Sequence, residues 1–373
     1  MSMAVYKIFP QQSATLYSFY PTTNTGLDEI IEISTYYSSN GTYEVSRGLI
    51  QFPSDQINNI ISSSVNGKNY DAYLKLYLAD ASGTPLNYDL HCHPLATSWN
   101  MGTGRLSDVP NPSNGVSWQF TNILSGSSWL SGSLPSNTTA SYASYDVAGG
   151  GLWYSGSFSG SNYLATQSFT FQSSNDIELK VTNTIEAWYS GSFANNGFIL
   201  KHSSSIEFNP SASTFETKYF SSTTHTIYPP CLEIRWDDSS YVSSSLTTVT
   251  SNLFIPTLGN NKGEYQQDSV QIFRINVRDK YPARAFQTSS VYLNNKLLPS
   301  SSYWSIVDYN TGEIIIDYDT NYTKISYDST SNYFTVYMNG LEPDRYYKLL
   351  FKTLLSDGET IISDDNYYFK VIK

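Results

Sequence analysis

Side chains able to do chemistry are thinly spread through this sequence. His91-Cys92-His93 is its one cluster of metal-ligand types. On a strand, where side chains alternate between faces, His91 and His93 would share a face as two ligands of one ion do. No other Cys or His lies near in sequence, so a structural role is expected and no metal. His202 and His225 stand alone and read as surface or satisfied core histidines. Gly156-Ser-Phe-Ser-Gly160 has the outline of the elbow that exposes a nucleophilic serine, but Phe158 occupies the serine's place. Carboxylates pair at Asp237-Asp238, Asp317-Tyr-Asp319 and Asp364-Asp365. Such pairs do acid–base work when buried and held apart in pKa. Here they fall among turn residues, so solvation is the expectation. The same turns could hold Ca²⁺ through carboxylates and carbonyls, although no fixed-spacing loop is present. No catalytic set is expected, and no cofactor.

Aromatic side chains are the stronger candidates. Trp99, Trp118, Trp129 and Trp153, with Tyr154, could form a platform on which sugar rings stack, since an aromatic face offers apolar area and neighbouring Asn, Asp and Ser bind hydroxyls. Trp99 and Trp118 read as sandwich core. Trp129, Trp153 and Tyr154 lie in a loose Gly/Ser/Asn/Pro-rich stretch and are the candidate binding residues, either at a subunit interface or as a glycan platform.

The elements that must position them are strands. Charged residues make up 14% of the chain and aromatics 15%, with 32 tyrosines, a composition that favours pleated surface over helix. Strand pattern appears at 5–20, 27–33, 47–52, 73–78 and 177–181, and again around Asn195-Asn-Gly197 and Pro229-Pro230. Helical spacing is confined to two short pieces, Ile57 to Ile61 behind a capping Ser54 or Asp55, and Thr182 to Trp188. Residues 1–240 thus read as one sandwich with an insertion near 101–160, and 241–265 as a polar linker with a docking segment at Leu253-Phe-Ile-Pro256. Residues 266–373 carry seven short strands at the spacing of an immunoglobulin-like sandwich, one of them at 289–293. Leu341-Glu-Pro-Asp-Arg-Tyr-Tyr347 resembles the tyrosine corner of fibronectin type III domains, in which Tyr347 would bond back to upstream backbone.

Six stretches in order carry a wider resemblance. They are Arg47-Gly-Leu-Ile-Gln-Phe52, Ala72 to Leu78, Ser98-Trp-Asn-Met-Gly-Thr-Gly-Arg105, Gly115-Val-Ser-Trp118, Asn195 to Lys201, and Phe220 to Trp236. Together they resemble the DNRLRE-type β-sandwich module in the form found in virion structural proteins of tailed phages. Arg47 and Phe52 correspond to the naming strand, and Trp99, Gly102, Gly104 and Trp118 to its mid-domain element. Where the phage versions are expected to carry an Arg-Asp pair after the Phe-Ser of the penultimate strand, this chain has Ser222-Thr223. The resemblance implies an all-β protein, a jelly-roll-like sandwich related to carbohydrate-binding modules, followed here by the immunoglobulin/fibronectin III-like sandwich.

The resemblance implies a non-enzymatic structural protein on the exterior of a phage capsid, neck or tail, present in several copies and contacting other virion proteins. The alternative is an adhesin-like module that binds host-surface glycan. A net charge of −11 repels phosphate backbones and anionic lipid, so neither nucleic acid nor membrane is an expected partner. The N-terminal residues lack the basic and apolar regions of a signal peptide, which fits assembly in a host cytoplasm. Two cysteines are too few for a disulfide framework and read as small buried hydrophobes, with one bridge left open.

Overall fold

The computed structural model describes residues 4–37, 41–130, 134–142, 147–155, 157–158, 161–209, 214–242, 245–282 and 295–373, with the backbone alone at 157, 158 and 161. The protein is all-β and divides into two compact units. One comprises residues 8–64 and 71–233; the other comprises 1–7, 65–70 and 234–373.

The first unit is built on an eight-stranded antiparallel sheet. Its strands run in the order Ala165–Thr170, Asn87–Pro94, Phe198–His202, Tyr43–Gln51, Ile30–Tyr37, Phe215–Phe220 and Leu78–Ser82, with Gln12–Tyr17 also paired to Tyr43–Gln51. A second pairing joins Tyr70–Leu76 to Ile177–Lys180, placing Leu74 opposite Leu179. Tyr43–Gln51 is buried from Val45 to Ile50, on both faces of the pleat, as a central strand must be. Helix Ser54–Ile60 buries Ile57 and Ile60, follows Pro53 rather than a side-chain cap, and runs on through π-helical Ile61–Val65. It stops where Asn66 and Gly67 take positive φ. Thr182–Tyr189 is the second helix; its Thr182 hydroxyl accepts the Ala72 amide at 2.9 Å, so the first residue is spent on a strand rather than on capping.

The tryptophans of the insertion are buried where a loose loop was expected. Leu95, Trp99, Val116, Trp118, Trp129, Leu152 and Trp153 form one buried cluster with Ala14, Leu16, Val45, Leu49 and Ile199 of the sheet. Among the described residues of this stretch, buried indoles thus alternate with exposed turns such as 124–127 and 134–137.

The second unit is a sandwich of two sheets. One runs Phe254–Leu258, Val270–Asp279, Asn332–Tyr337, Ser326–Tyr327; the other runs Glu264–Gln266, Thr360–Ile372, Tyr346–Leu354, Ser302–Asp308, Ile314–Ile316. Its core stacks Trp304 on Phe334 at 5.2 Å and Phe334 on Phe273 at 5.4 Å. The strand expected at 289–293 lies outside the described residues. Within the stretch read as a linker, the docking segment is a strand: Phe254–Leu258 pairs along Val270–Asp279 from Phe254 opposite Asp279 to Leu258 opposite Ile275. Ala4–Ile8 is also a strand, next to Cys231–Trp236 in sheet order, and its Val5 is buried among Phe273, Met338 and Leu341.

Candidate functional site

Trp129 and Trp153, read from sequence as an exposed platform, are 2% and 4% exposed. The Trp129 indole N–H donates to Ser117 O at 2.9 Å, that of Trp118 to Val147 O at 2.9 Å, and that of Trp99 to Asn196 O at 2.9 Å. Each ring fills the core while its one polar atom pins a loop. Tyr154 stacks on Phe193 at 4.5 Å and is half-covered. These three residues do not form a surface for sugar rings.

Trp153 is covered for an electrostatic reason. The Arg47 guanidinium lies 5.2 Å from its ring and the Lys201 ammonium 5.7 Å, while Arg47 also sits 4.9 Å from Trp118 and 5.9 Å from Phe208. Glu207 joins the two cations. Arg47 forks onto its carboxylate through Nε at 3.0 Å and Nη2 at 2.9 Å, and Lys201 reaches the same Oε2 at 2.8 Å. Two positive charges thus meet one negative charge in a fully buried place. The excess cation is solvated by the carbonyls of Gly150 at 2.6 Å, Ser141 at 2.8 Å and His202 at 2.7 Å, and by aromatic faces. Burial alone would raise the Glu207 pKa, but the charges of Arg47 and Lys201 outweigh it and hold the carboxyl below its ordinary range. Only glycine fits at 150, where φ is +76° and a Cβ would stand 2.7 Å from Arg47 Nη1.

A neutral hub serves the neighbouring motif residues. Asn24 is fully buried. Its Nδ2 donates to Met101 O and Val116 O at 2.8 Å each, and its Oδ1 accepts from Gly104 N at 2.7 Å and Gly26 N at 3.3 Å. Gly102, at φ +76°, lies so close that a side chain would strike the Asn24 amide. The resemblance picked out Arg47, Trp99, Gly102, Gly104 and Trp118; Glu207, the partner of Arg47, and Asn24, the partner of Gly102 and Gly104, carry no local signal and were missed. At Ser222-Thr223, hydroxyls replace the charged pair: Ser222 bonds Ser13 at 2.7 Å and Thr223 donates to Asp28 O at 2.8 Å.

The histidines fall beside the ionic centre. His91 and His93 face each other with ring centroids 6.1 Å apart, and His93 tilts against Trp153 at 5.8 Å. Burial first, then the charge of Lys201 and the His91 ring, pushes His93 down to about 3. Burial likewise pushes His202 down to about 3, against the attraction of Glu207. Both rings are therefore neutral. No group of three or more metal-ligating side chains comes together among the described residues. Cys92 and Cys231 are both buried and are not bridged to each other. The carboxylates at Asp317, Asp319 and Asp364 cap their own turns through backbone N–H groups.

A groove of about 390 Å³ opens across the large sheet of the first unit, and a smaller one of about 230 Å³ lies at Asn162–Ala165 and Lys180–Thr184. Cross-strand pairing sets the floor of the larger groove, with Tyr17 opposite Ser46, Ser46 opposite Ser34, Ser34 opposite Glu216, and Glu216 opposite Ser82. Phe19, Tyr20 and Tyr36 rise around it at 59%, 46% and 47% exposure. Glu32, Glu44 and Glu216 also line it. The Phe19–Tyr20 turn is held by Ser18, whose amide donates to Val45 O and whose hydroxyl accepts the Val45 amide, both at 2.9 Å. No sequence pattern marked this groove, since its residues come from five strands and from loop positions at 19–20, 106 and 214. Comparison with known protein families and with characterised proteins finds no match for this chain.

Proposed function

We propose that this chain is a non-enzymatic structural protein of a tailed-phage virion, on the exterior of capsid, neck or tail, acting through protein–protein contacts. The observation that carries this reading is the use of the motif residues. Arg47, with Trp118 against its guanidinium, meets the buried Glu207; Gly102 and Gly104 close on the buried Asn24; and Trp99 packs in the core cluster that joins the insertion to the sheet. Chemistry-bearing side chains are spent there on rigidity, which suits a particle component that must keep its shape outside a cell. The adhesin alternative has lost the tryptophan platform on which it rested and would need a different surface.

The test is direct. Purified particles should contain the chain in several copies, and a tag at Lys373 should decorate capsid, neck or tail in negative-stain images. Finding the chain only in the lysate, free of particles, would overturn the proposal.

A further inference from the structure

We infer that the groove floored by Ser34 and Glu216 receives an arginine side chain from an extended segment of a partner protein. The inference rests on the protein–protein reading above and supplies the chemistry of one such contact. Three carboxylates, Glu32, Glu44 and Glu216, line the groove, and no Lys, Arg or His does so among the described residues. Lys218, opposite Glu32 in the sheet, reaches Glu216 at 2.9 Å and offsets only one of these charges. The remaining negative potential calls for a cation.

The aromatic walls decide which cation. A planar guanidinium stacks on rings and forks onto a carboxylate at once, whereas an ammonium is a compact and strongly hydrated point charge. Sugar rings fit less well, because they need a flat platform. Phe19 meets Tyr20 at 83° and Tyr20 meets Tyr17 at 74°, so these rings form a cage of edges and faces. The volume of about 390 Å³ lies near the lower end of the range for ligand pockets, about 300–1,000 Å³, enough for one or two side chains. The floor is also preformed: Ser34 Oγ bonds Ser46 Oγ at 2.8 Å and the Tyr17 hydroxyl donates to Glu32 at 3.3 Å.

The experiment is a titration of the full chain, followed by protein NMR, with three probes: end-blocked Gly-Arg-Gly, the same peptide with citrulline, and the neutral trimer of N-acetylglucosamine. The arginine peptide should bind saturably at low salt and weaken as salt is added. Glu32→Gln with Glu216→Gln should weaken it by about ten- to a hundredfold, the loss of charge-assisted hydrogen bonds, with an unchanged melting temperature. Phe19→Ala with Tyr36→Ala should also weaken it. No saturable binding, equal binding of the citrulline peptide, or binding of the trisaccharide in preference to arginine would each overturn the inference. The outcome is separate from that for the virion reading, because a chain absent from particles could still bind the peptide, and a particle protein could fail to do so.

Discussion

Arg47 shows how much one residue can organise. It links a sheet strand to Glu207, Gly150 and Ser141, positions 94 to 160 residues away in sequence. A buried pair of this kind adds little compared with an apolar replacement of both partners, but breaking it leaves a stranded charge. Glu207→Gln strands two cations and should cost about 3–5 kcal/mol in chemical denaturation of the first unit. A loss below about 1 kcal/mol would mean that carbonyls and rings alone solvate Arg47 and Lys201. The histidines add a pH dependence with a definite sign. His93 and His202 have folded pKa values depressed to about 3, against about 6.5 in an unfolded chain. Above pH 6.5 their contribution is constant. Below it the unfolded chain takes up protons that the native site refuses, first because both rings are buried and then because the charge of Lys201 opposes a second cation there. Stability should therefore fall by about 1.4 kcal/mol per pH unit for each histidine, down to about pH 3. His93→Phe should flatten part of that slope between pH 7 and 5; a parallel slope in parent and variant would show that the ring does not titrate in this way.

Strands were legible wherever pattern and punctuation agreed. Val270, Tyr303, Tyr346 and their neighbours alternate cleanly, and the structure builds Val270–Asp279, Ser302–Asp308 and Tyr346–Leu354 from them. Phe254–Leu258 was missed because Pro256 and the Ser/Thr-rich approach resemble linker, although proline is tolerated on an edge strand, which this one is. The insertion was misread for a related reason: composition reports turn frequency, while burial of Trp153 depends on Arg47 and Lys201 and that of Trp129 on the apolar cluster it shares with the sheet, partners that lie far off in sequence. The tyrosine corner was legible down to its atoms. Tyr347 Oη donates to Glu342 O at 3.0 Å, five residues back, and the ring is 2% exposed. Tyr347→Phe should lower the stability of the second unit by about 0.5–1.5 kcal/mol, one buried hydrogen bond, read from its unfolding midpoint. The Asn24 hub should be dearer. Asn24→Ala leaves two carbonyls and two amides without their partner, at about 1–3 kcal/mol for each that water cannot reach. A cost under 1 kcal/mol would mean that solvent enters the 101–116 loops.

At the scale of the whole molecule, the chain begins in the unit where it ends. Val5 is buried in the second unit's core, Lys7 Nζ donates to Ile315 O at 3.2 Å, and Asn339 Nδ2 donates to Lys7 O at 2.7 Å. Tyr6 meets Tyr337 edge-on at 5.7 Å. Neighbours in sequence are the default neighbours in space, and nothing in the apolar pattern of residues 4–8 shows that their side chains pack with residues 273–341. Residues 241–373 alone should therefore be less stable than in the full chain. Burying a valine is worth about 1.5–3 kcal/mol, and the freed Asn339 side chain and Ile315 carbonyl add the loss of two hydrogen bonds at about 1 kcal/mol each. Deleting residues 1–7 from the full chain should therefore destabilise the second unit by about 3–5 kcal/mol and raise hydrogen exchange at 314–316 and 337–341, while amides around Arg47 keep their protection. Equal exchange at 337–341 with and without the seven residues would return them to the first unit. A fragment of residues 241–373 should show the same loss, and adding a peptide of residues 1–10 should restore part of the protection, since it returns Val5 and Lys7 to their contacts with this unit.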